Sequence, residues 1–312
     1  MTLPLVIDTD PGIDDALALL LAARAPAARL LAVSVTYGNT TLDRAARNAR
    51  LVLDRVAPRV PVFPGADRPL ARPLLTAKET HGDEGLGDHE APPAPETAPS
   101  ATSILDALRA ADEPVTLVTL GPLTNLALAL RNDAAFLRSR VVRHVAMGGN
   151  IAAAGNSGGL AEFNVWCDPE AAAEVFAAGL GTELVGLDVT RRLVIRAAAV
   201  ERLAGHRDPQ ARWLGRLLGH YVRFHHHQEG LHGAVINDPL AVALALRPRW
   251  GTAETLHLRV DLAQGTGRGE TVAGAASDPA IGVYRDVVLQ PVHALLLEHL
   301  FGEWLTESDF LP

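Results

Sequence analysis

Val6–Leu21 reads V-I-D-T-D-P-G-I-D-D-A-L-A-L-L-L, and this stretch decides the fold. Leu5-Val6-Ile7 predicts a short buried strand, Asp10-Pro11-Gly12 a tight turn and Ala16–Ala23 an apolar helix. Asp8, Asp10, Asp14 and Asp15 then fall at a strand's carboxyl end and a helix's amino end, where open α/β sheets hold their ligands. Helix capping and the helix dipole account for one or two of these acids. Four demand more, because two ionised carboxylates about 4 Å apart repel by roughly 4 kcal/mol at an effective dielectric of about 20. No Lys or Arg precedes Arg24, so either some acids stay protonated or a hard cation, Ca²⁺ or Mg²⁺, joins them.

The same rhythm continues outward. Leu30–Thr36 reads as a strand ending in Tyr37-Gly38-Asn39, Thr41–Val56 as an amphipathic helix and Val60–Phe63 as a third strand. This βαβ order argues for a parallel, mostly buried sheet. Pro64–Ser100 breaks the pattern with recurrent prolines around His81-Gly82-Asp83-Glu84-Gly85-Leu86-Gly87. Its portion from about 68 to 100 reads as a mobile loop over a site or as a solvated surface loop. Strands return at Val115–Leu120, Val141–Ala146 and Glu183–Leu187, with helices at Ser103–Ala110, Leu126–Arg131 and from Asp168-Pro169-Glu170. The last third is more helical (Pro209–His227, Leu240–Leu246, Pro291–Leu305), with Leu256–Leu262 and Gly282–Leu289 as edge strands.

Asp10, Asn39, Asn150 and Asp188 each follow a predicted strand, and parallel strands end on one edge, so these four are expected to line one crevice. With no repeat and no composition break, residues 1–312 are expected to form a single α/β domain. Its mostly parallel central sheet would be flanked by helices, Rossmann-like, with the site at the carboxyl ends of the strands.

Composition excludes several classes. The chain is 48% hydrophobic and carries a net charge of −8, with Lys78 its sole lysine, and shows no basic run with interleaved aromatics. Nucleic acid is therefore not an expected partner. No apolar run is long enough to span a bilayer and no basic-then-apolar signal opens the chain, so a soluble, cytoplasmic protein without a membrane partner is expected. Cys167 is the only cysteine, which leaves no intrachain disulfide and no thiolate cluster. There is no phosphate loop, dinucleotide fingerprint or strained Ser or Cys elbow. A crevice of carboxylates, amides and glycine backbone suits a ligand with vicinal hydroxyls and the activation of water.

Asp8-Thr9-Asp10-Pro11-Gly12-Ile13-Asp14-Asp15-Ala16 resembles the N-terminal signature of the inosine–uridine preferring nucleoside hydrolases. Further matches follow in order: Gly38-Asn39, His81-Gly82, Gly121-Pro122-Leu123-Thr124-Asn125, Met147-Gly148-Gly149, Glu162-Phe163-Asn164 with Asp168-Pro169-Glu170, and Asp238-Pro239. The resemblance spans nearly the whole chain. It implies Ca²⁺-dependent hydrolysis of the N-glycosidic bond of small ribonucleosides, releasing ribose and base, by a homodimer or homotetramer. It also implies that Asp10, Asp15, Asp238 and the Leu120 carbonyl hold the ion, with Asp10 as the general base toward a water on that ion. Asp14, Asn39, Asn156, Glu162 and Asn164 would grip the ribose hydroxyls, with Met147 beside the substrate. Carboxylates around the ring would stabilise the oxocarbenium-like charge of the transition state.

One position departs from the pattern. Asn237 stands where the resemblance places the His that protonates the leaving base, and an amide has no titratable proton near neutral pH. His81 on the loop is one substitute, the run His225-His226-His227 another, and a base that leaves without protonation a third. Three consecutive His cannot all face one site on a helix; Tyr221 and His225, one turn apart, are placed to line a base pocket. Two other readings remain: a non-catalytic nucleoside or ribose binder, and an aspartate-nucleophile phosphatase. The latter opens with the same Asp-x-Asp but wants a Thr or Val where this chain has Gly12.

Overall fold

The computed structural model describes residues 2–311. Its strands are β1 (Leu3–Thr9), β2 (Ala28–Val35), β3 (Val62–Pro64), β4 (Val115–Thr119), β5 (Val141–Met147), β6 (Glu183–Val185), β7 (Val194–Arg196), β8 (Gly233–Val235), β9 (Gly251–Val260), β10 (Thr271–Ala273) and β11 (Ala280–Val287). Nine of them form one sheet in the order β10-β9-β11-β6-β5-β4-β1-β2-β3, while β7 and β8 make a separate antiparallel ribbon. Every pairing from β11 across to β3 is parallel, and β9 and β10 add an antiparallel edge. The mostly parallel sheet flanked by helices expected from the sequence is present. No helix among the described residues is long and apolar enough to cross a membrane.

Two helices set the site. Ile13–Arg24 and Asp238–Leu246 are apolar on all sides, buried along almost their whole length, and packed on each other. A helix apolar all round belongs inside. Their amino ends bring Asp14 and Asp15 beside Asp238. The strand order completes the arrangement. The chain steps from β1 outward to β2 and β3, and then β4 returns to pair on the other side of β1. That reversal leaves a crevice at the carboxyl ends of β1 and β4, where Asp10 and Leu120 lie.

Several elements differ from the sequence reading. Leu256–Leu262 and Gly282–Leu289 were expected as edge strands, but β9 lies between β10 and β11, and β11 is interior, parallel to β6 and antiparallel to β9. The true edge, β10, is three residues long, too short to show a period. Leu187 belongs to a helical turn, Leu187–Thr190, and not to the strand before it. The closing helix Leu289–Leu296 passes into a wider turn at Leu297–Phe301 instead of running straight to Leu305. Residues 68–100 are irregular apart from the short helix Lys78–His81. They are fastened by Arg47, whose buried guanidinium binds Glu84 Oε2 at 2.6 Å and the Pro92 carbonyl at 2.8 Å.

One buried group ties the sheet to pH. His144 on β5 is fully buried, with Thr119 Oγ1 3.0 Å from Nε2 and Thr182 Oγ1 3.0 Å from Nδ1. Each hydroxyl can donate or accept, so both nitrogens of the neutral ring are satisfied. Burial pushes the imidazole down from 6.5 to about 4. The unfolded chain therefore binds this proton at a higher pH than the native one, and stability falls as pH drops from about 6.5 toward 4. Unfolding by urea at pH 7 and pH 4 is expected to show the wild type losing about 3 kcal/mol more than His144→Gln over that interval. Equal losses in the two proteins would refute the assignment.

Candidate active site

The cleft over the strand ends has a volume of about 650 Å³. Such a volume suits a ligand of nucleoside size. Its wall brings together Asp14, Asn39, His81, Leu120, Met147, Asn156, Glu162, Asn164, His225, Asn237 and Asp238. Beneath the wall lie Asp10 and Asp15, both fully buried and both joined to Asn39. Asn39 donates its backbone N–H to Asp10 Oδ2 (2.7 Å) and its side-chain amide to Asp15 Oδ2 (2.8 Å).

The carboxylates share neutral donors. Asp15 accepts from Thr9 Oγ1 and from the Gly12 N–H at 2.9 Å. Asp14 accepts from Tyr221 Oη at 2.6 Å and from the Asn237 backbone N–H at 3.1 Å. Asp8 is taken up by Asn125 Nδ2 at 2.8 Å, on the sheet side of the site. Like Asp8 Oδ2, Asp10 Oδ1 is buried with no hydrogen-bond partner among the described residues. Glycine backbone presses on both of its oxygens. A Cβ on Gly38, at φ +154°, would fall 2.0 Å from Oδ2, and one on Gly121 would fall 2.6 Å from Oδ1. Only glycine lets two loops close on a carboxylate this way.

Burial in mutual company raises these acids. Asp15 is pushed up to about 6 by burial and then by Asp14. Asp10 is raised well above the usual carboxylate range by burial and by Asp15, and Asp238 likewise by burial, Asp14, Asp15 and Asp10. Ligand atoms of Asp14, Asp15 and Asp238 lie within 4.8 Å of one another. An all-oxygen set of this kind fits a hard divalent cation. The geometric trio includes Asp14, where the resemblance names Asp10.

Other residues hold the frame. Glu162 caps the helix Phe163–Cys167, accepting the N–H groups of Asn164 (2.9 Å), Gly149 (2.9 Å) and Val165 (3.2 Å), and burial pushes its carboxyl up to about 7. Asn164 Nδ2 donates to the Leu120 carbonyl (2.8 Å) and to that of Met147 (3.2 Å). Asn156 is exposed on the rim. His81 is buried, its Nδ1 accepting the Ile13 N–H at 3.1 Å, so the loop reaches the first turn of the buried helix.

Two expected lining residues sit elsewhere. Asn150 and Asp188 do not line the cleft; they shape the loop that does. Asn150 Nδ2 donates to the Ala153 and Leu160 carbonyls, and Asp188 accepts the Ile151 and Ala152 N–H groups at 2.7 and 2.8 Å. That loop presents Gly155–Gly159 to the cleft. The sequence reading gave no role to Thr9, whose place between Asp8 and Asp10 was the available signal, or to Asn125, the second residue of the helix Thr124–Arg140 that follows Gly121-Pro122.

A family model described as inosine-uridine preferring nucleoside hydrolase matches residues 5–292. The pyrimidine-specific ribonucleoside hydrolase RihA of Enterobacter sp. (strain 638) is 41% identical over 268 residues, covering 82% of this chain and 85% of the relative. Among solved structures, the plant nucleoside hydrolase PpNRh1 superposes with a TM-score of 0.87 at 28% identity, covering 97% of this chain and 100% of its own. The purine-preferring ribonucleoside hydrolase from Gardnerella vaginalis gives 0.86 at 27% identity, over 96% and 98% of the two chains.

The acid cluster predicts a cation-dependent stability. Adding Ca²⁺ or Mg²⁺ to about a hundredfold above its dissociation constant should stabilise the chain by about 2.7 kcal/mol, a rise of about 5 °C in Tm. Asp238→Asn should abolish the shift in differential scanning fluorimetry; an unchanged shift in that variant would place the cation elsewhere.

Proposed function

The chain belongs to the inosine-uridine preferring nucleoside hydrolases, N-glycosidases of ribonucleosides, and from that membership we propose that it hydrolyses ribonucleosides by a Ca²⁺-assisted attack of water on the anomeric carbon. The aspartate-nucleophile phosphatase reading falls with the membership. The observation that carries the proposal is Asp10 Oδ1, a buried carboxylate oxygen with no protein partner among the described residues, just past the carboxyl end of β1.

The residues fit the ion. Asp15 and Asp238 belong to the cluster close enough to share an ion, Asp10 and the Leu120 carbonyl would complete a set of hard oxygen ligands with no Lys or Arg paired to them among the described residues, and a divalent charge would offset the repulsion that burial imposes on the acids. Bound there, Ca²⁺ supplies a lowered pKa for a water and a charge to fasten ribose hydroxyls. Asp10 takes the proton of the attacking water through Oδ1. Asp14, Asn39, Asn156, Glu162 and Asn164 orient the ribose, with Met147 beside it, and hold it for attack. Positive charge growing on the ring is stabilised by the surrounding carboxylates. Asn237 and His81 act through Asp14 and Tyr221 as positioning residues. Residues 68–100, which carry His81, form the active-site loop of the one domain.

A pyrimidine-specific relative at 41% identity puts uridine and cytidine first among the substrates to try. A cytoplasmic homodimer or homotetramer completes the reading. The test is release of reducing sugar from purine and pyrimidine ribonucleosides with Ca²⁺, with chelator and with Asp10→Asn. Chelation should stop turnover, and loss of the general base should lower kcat by about 10³-fold. Nucleoside binding without any release would leave a binding protein and end the catalytic reading.

A further inference from the structure

Breaking an N-glycosidic bond leaves an electron pair on the base, so a neutral nucleobase departs quickly only when a proton donor reaches it. Most titratable groups of the cleft already have their protons committed. Tyr221 gives its proton to Asp14 at 2.6 Å. His81 accepts the Ile13 N–H through Nδ1, and its Nε2 lies 3.2 Å from Tyr221 Oη. Asn237 has only an amide, turned onto Asp14 Oδ2. Glu229 stands on the exposed rim, paired with Arg191.

His225 differs from all of these. It is 6% exposed on the cleft side of the helix Pro209–Glu229, while His226 and His227 face solvent. Its Nδ1 lies 2.8 Å from the Tyr221 backbone carbonyl. A carbonyl only accepts, so Nδ1 carries hydrogen and Nε2 is the titrating nitrogen. Among the described residues Nε2 has no hydrogen-bond partner. Edge-on contacts with Tyr221 and Phe224, at ring separations of 5.2 and 5.5 Å, fix the plane of the imidazole.

Resting on the hydrolase reading above, we propose that His225, as its imidazolium, protonates the departing base through Nε2. The Nδ1–H bond to the carbonyl orients the ring and makes Nε2 more basic. Burial lowers the imidazole below its ordinary value, while Glu229 on the same helix, the bond to the Tyr221 carbonyl and Asp14 beyond Tyr221 pull it up and Arg191 pulls it down, so the imidazolium, once formed, gives its proton readily. As the C1′–N bond breaks, its electron pair stays on the base and takes the proton from Nε2. The attacking water forms the C1′–O bond and gives a proton to Asp10. Solvent returns one proton to His225 and removes one from Asp10, so one water is consumed per turnover.

The test compares wild type and His225→Gln on uridine, inosine and 4-nitrophenyl β-D-ribofuranoside, whose phenolate leaves without protonation. On the nucleosides kcat is expected to fall about 10²-fold or more, with KM and aryl riboside turnover held within about threefold. His225→Asn replaces the Gln variant should that fail to fold. Equal losses on all three substrates, or undiminished nucleoside turnover, overturn the proposal. If wild type cleaves none of them, the aryl riboside included, the hydrolase reading itself is overturned and this proposal with it.

Discussion

Asp8, Asp10, Asp14, Asp15 and Asp238 are buried together without a basic side chain to neutralise them, and the rest of the site is arranged to make that tolerable. The chain's inward-facing arginines are spent elsewhere, Arg47 on Glu84 and Arg143 on Glu183. Unpaired buried carboxylates are costly, and a group removed from water must find hydrogen bonds or give up its charge. Both happen here. Neutral donors cover most of the oxygens, and burial lifts the acids toward protonation, to about 6 at Asp8 and Asp15.

On the proposed reading, the ribose side and the base side of the cleft solve different problems. Under the sugar the frame is rigid, with loops closed on Asp10 by glycine backbone and with Glu162 locked by three backbone N–H groups. At the base end the wall is built from one long helix, whose buried turn carries Tyr221 and His225. Tyr221 joins the two ends, since its hydroxyl reaches Asp14 while its carbonyl holds the His225 ring. Two hydrogen bonds thus link His225 to Asp14 through Tyr221.

The sequence made the first strand, the apolar helix after it and the acids between them readable, because strand, turn and helix periods each fall cleanly within sixteen residues of Val6–Leu21. The carboxyl-end rule led to Asn39 in the cleft wall and to Asp10 buried beneath it. It failed for Asn150 and Asp188, because a polar residue after a strand can bind the next loop's backbone as readily as a ligand. The interior place of β11 was hidden, since a strand's neighbours depend on long-range pairing. The His run was ambiguous along the chain. Only helix rotation separates His225, turned inward, from the two histidines after it.

The contact between Asp14 and Asn237 bridges 223 positions of sequence. A ribosome adding roughly 5–20 residues per second needs about 10–45 s to travel between them. Throughout that interval the first helix has been made but lacks the partner helix that brings Asp238 to its acids. A chain broken off short of the second buried helix holds six of the nine strands of the large sheet but lacks Asp238.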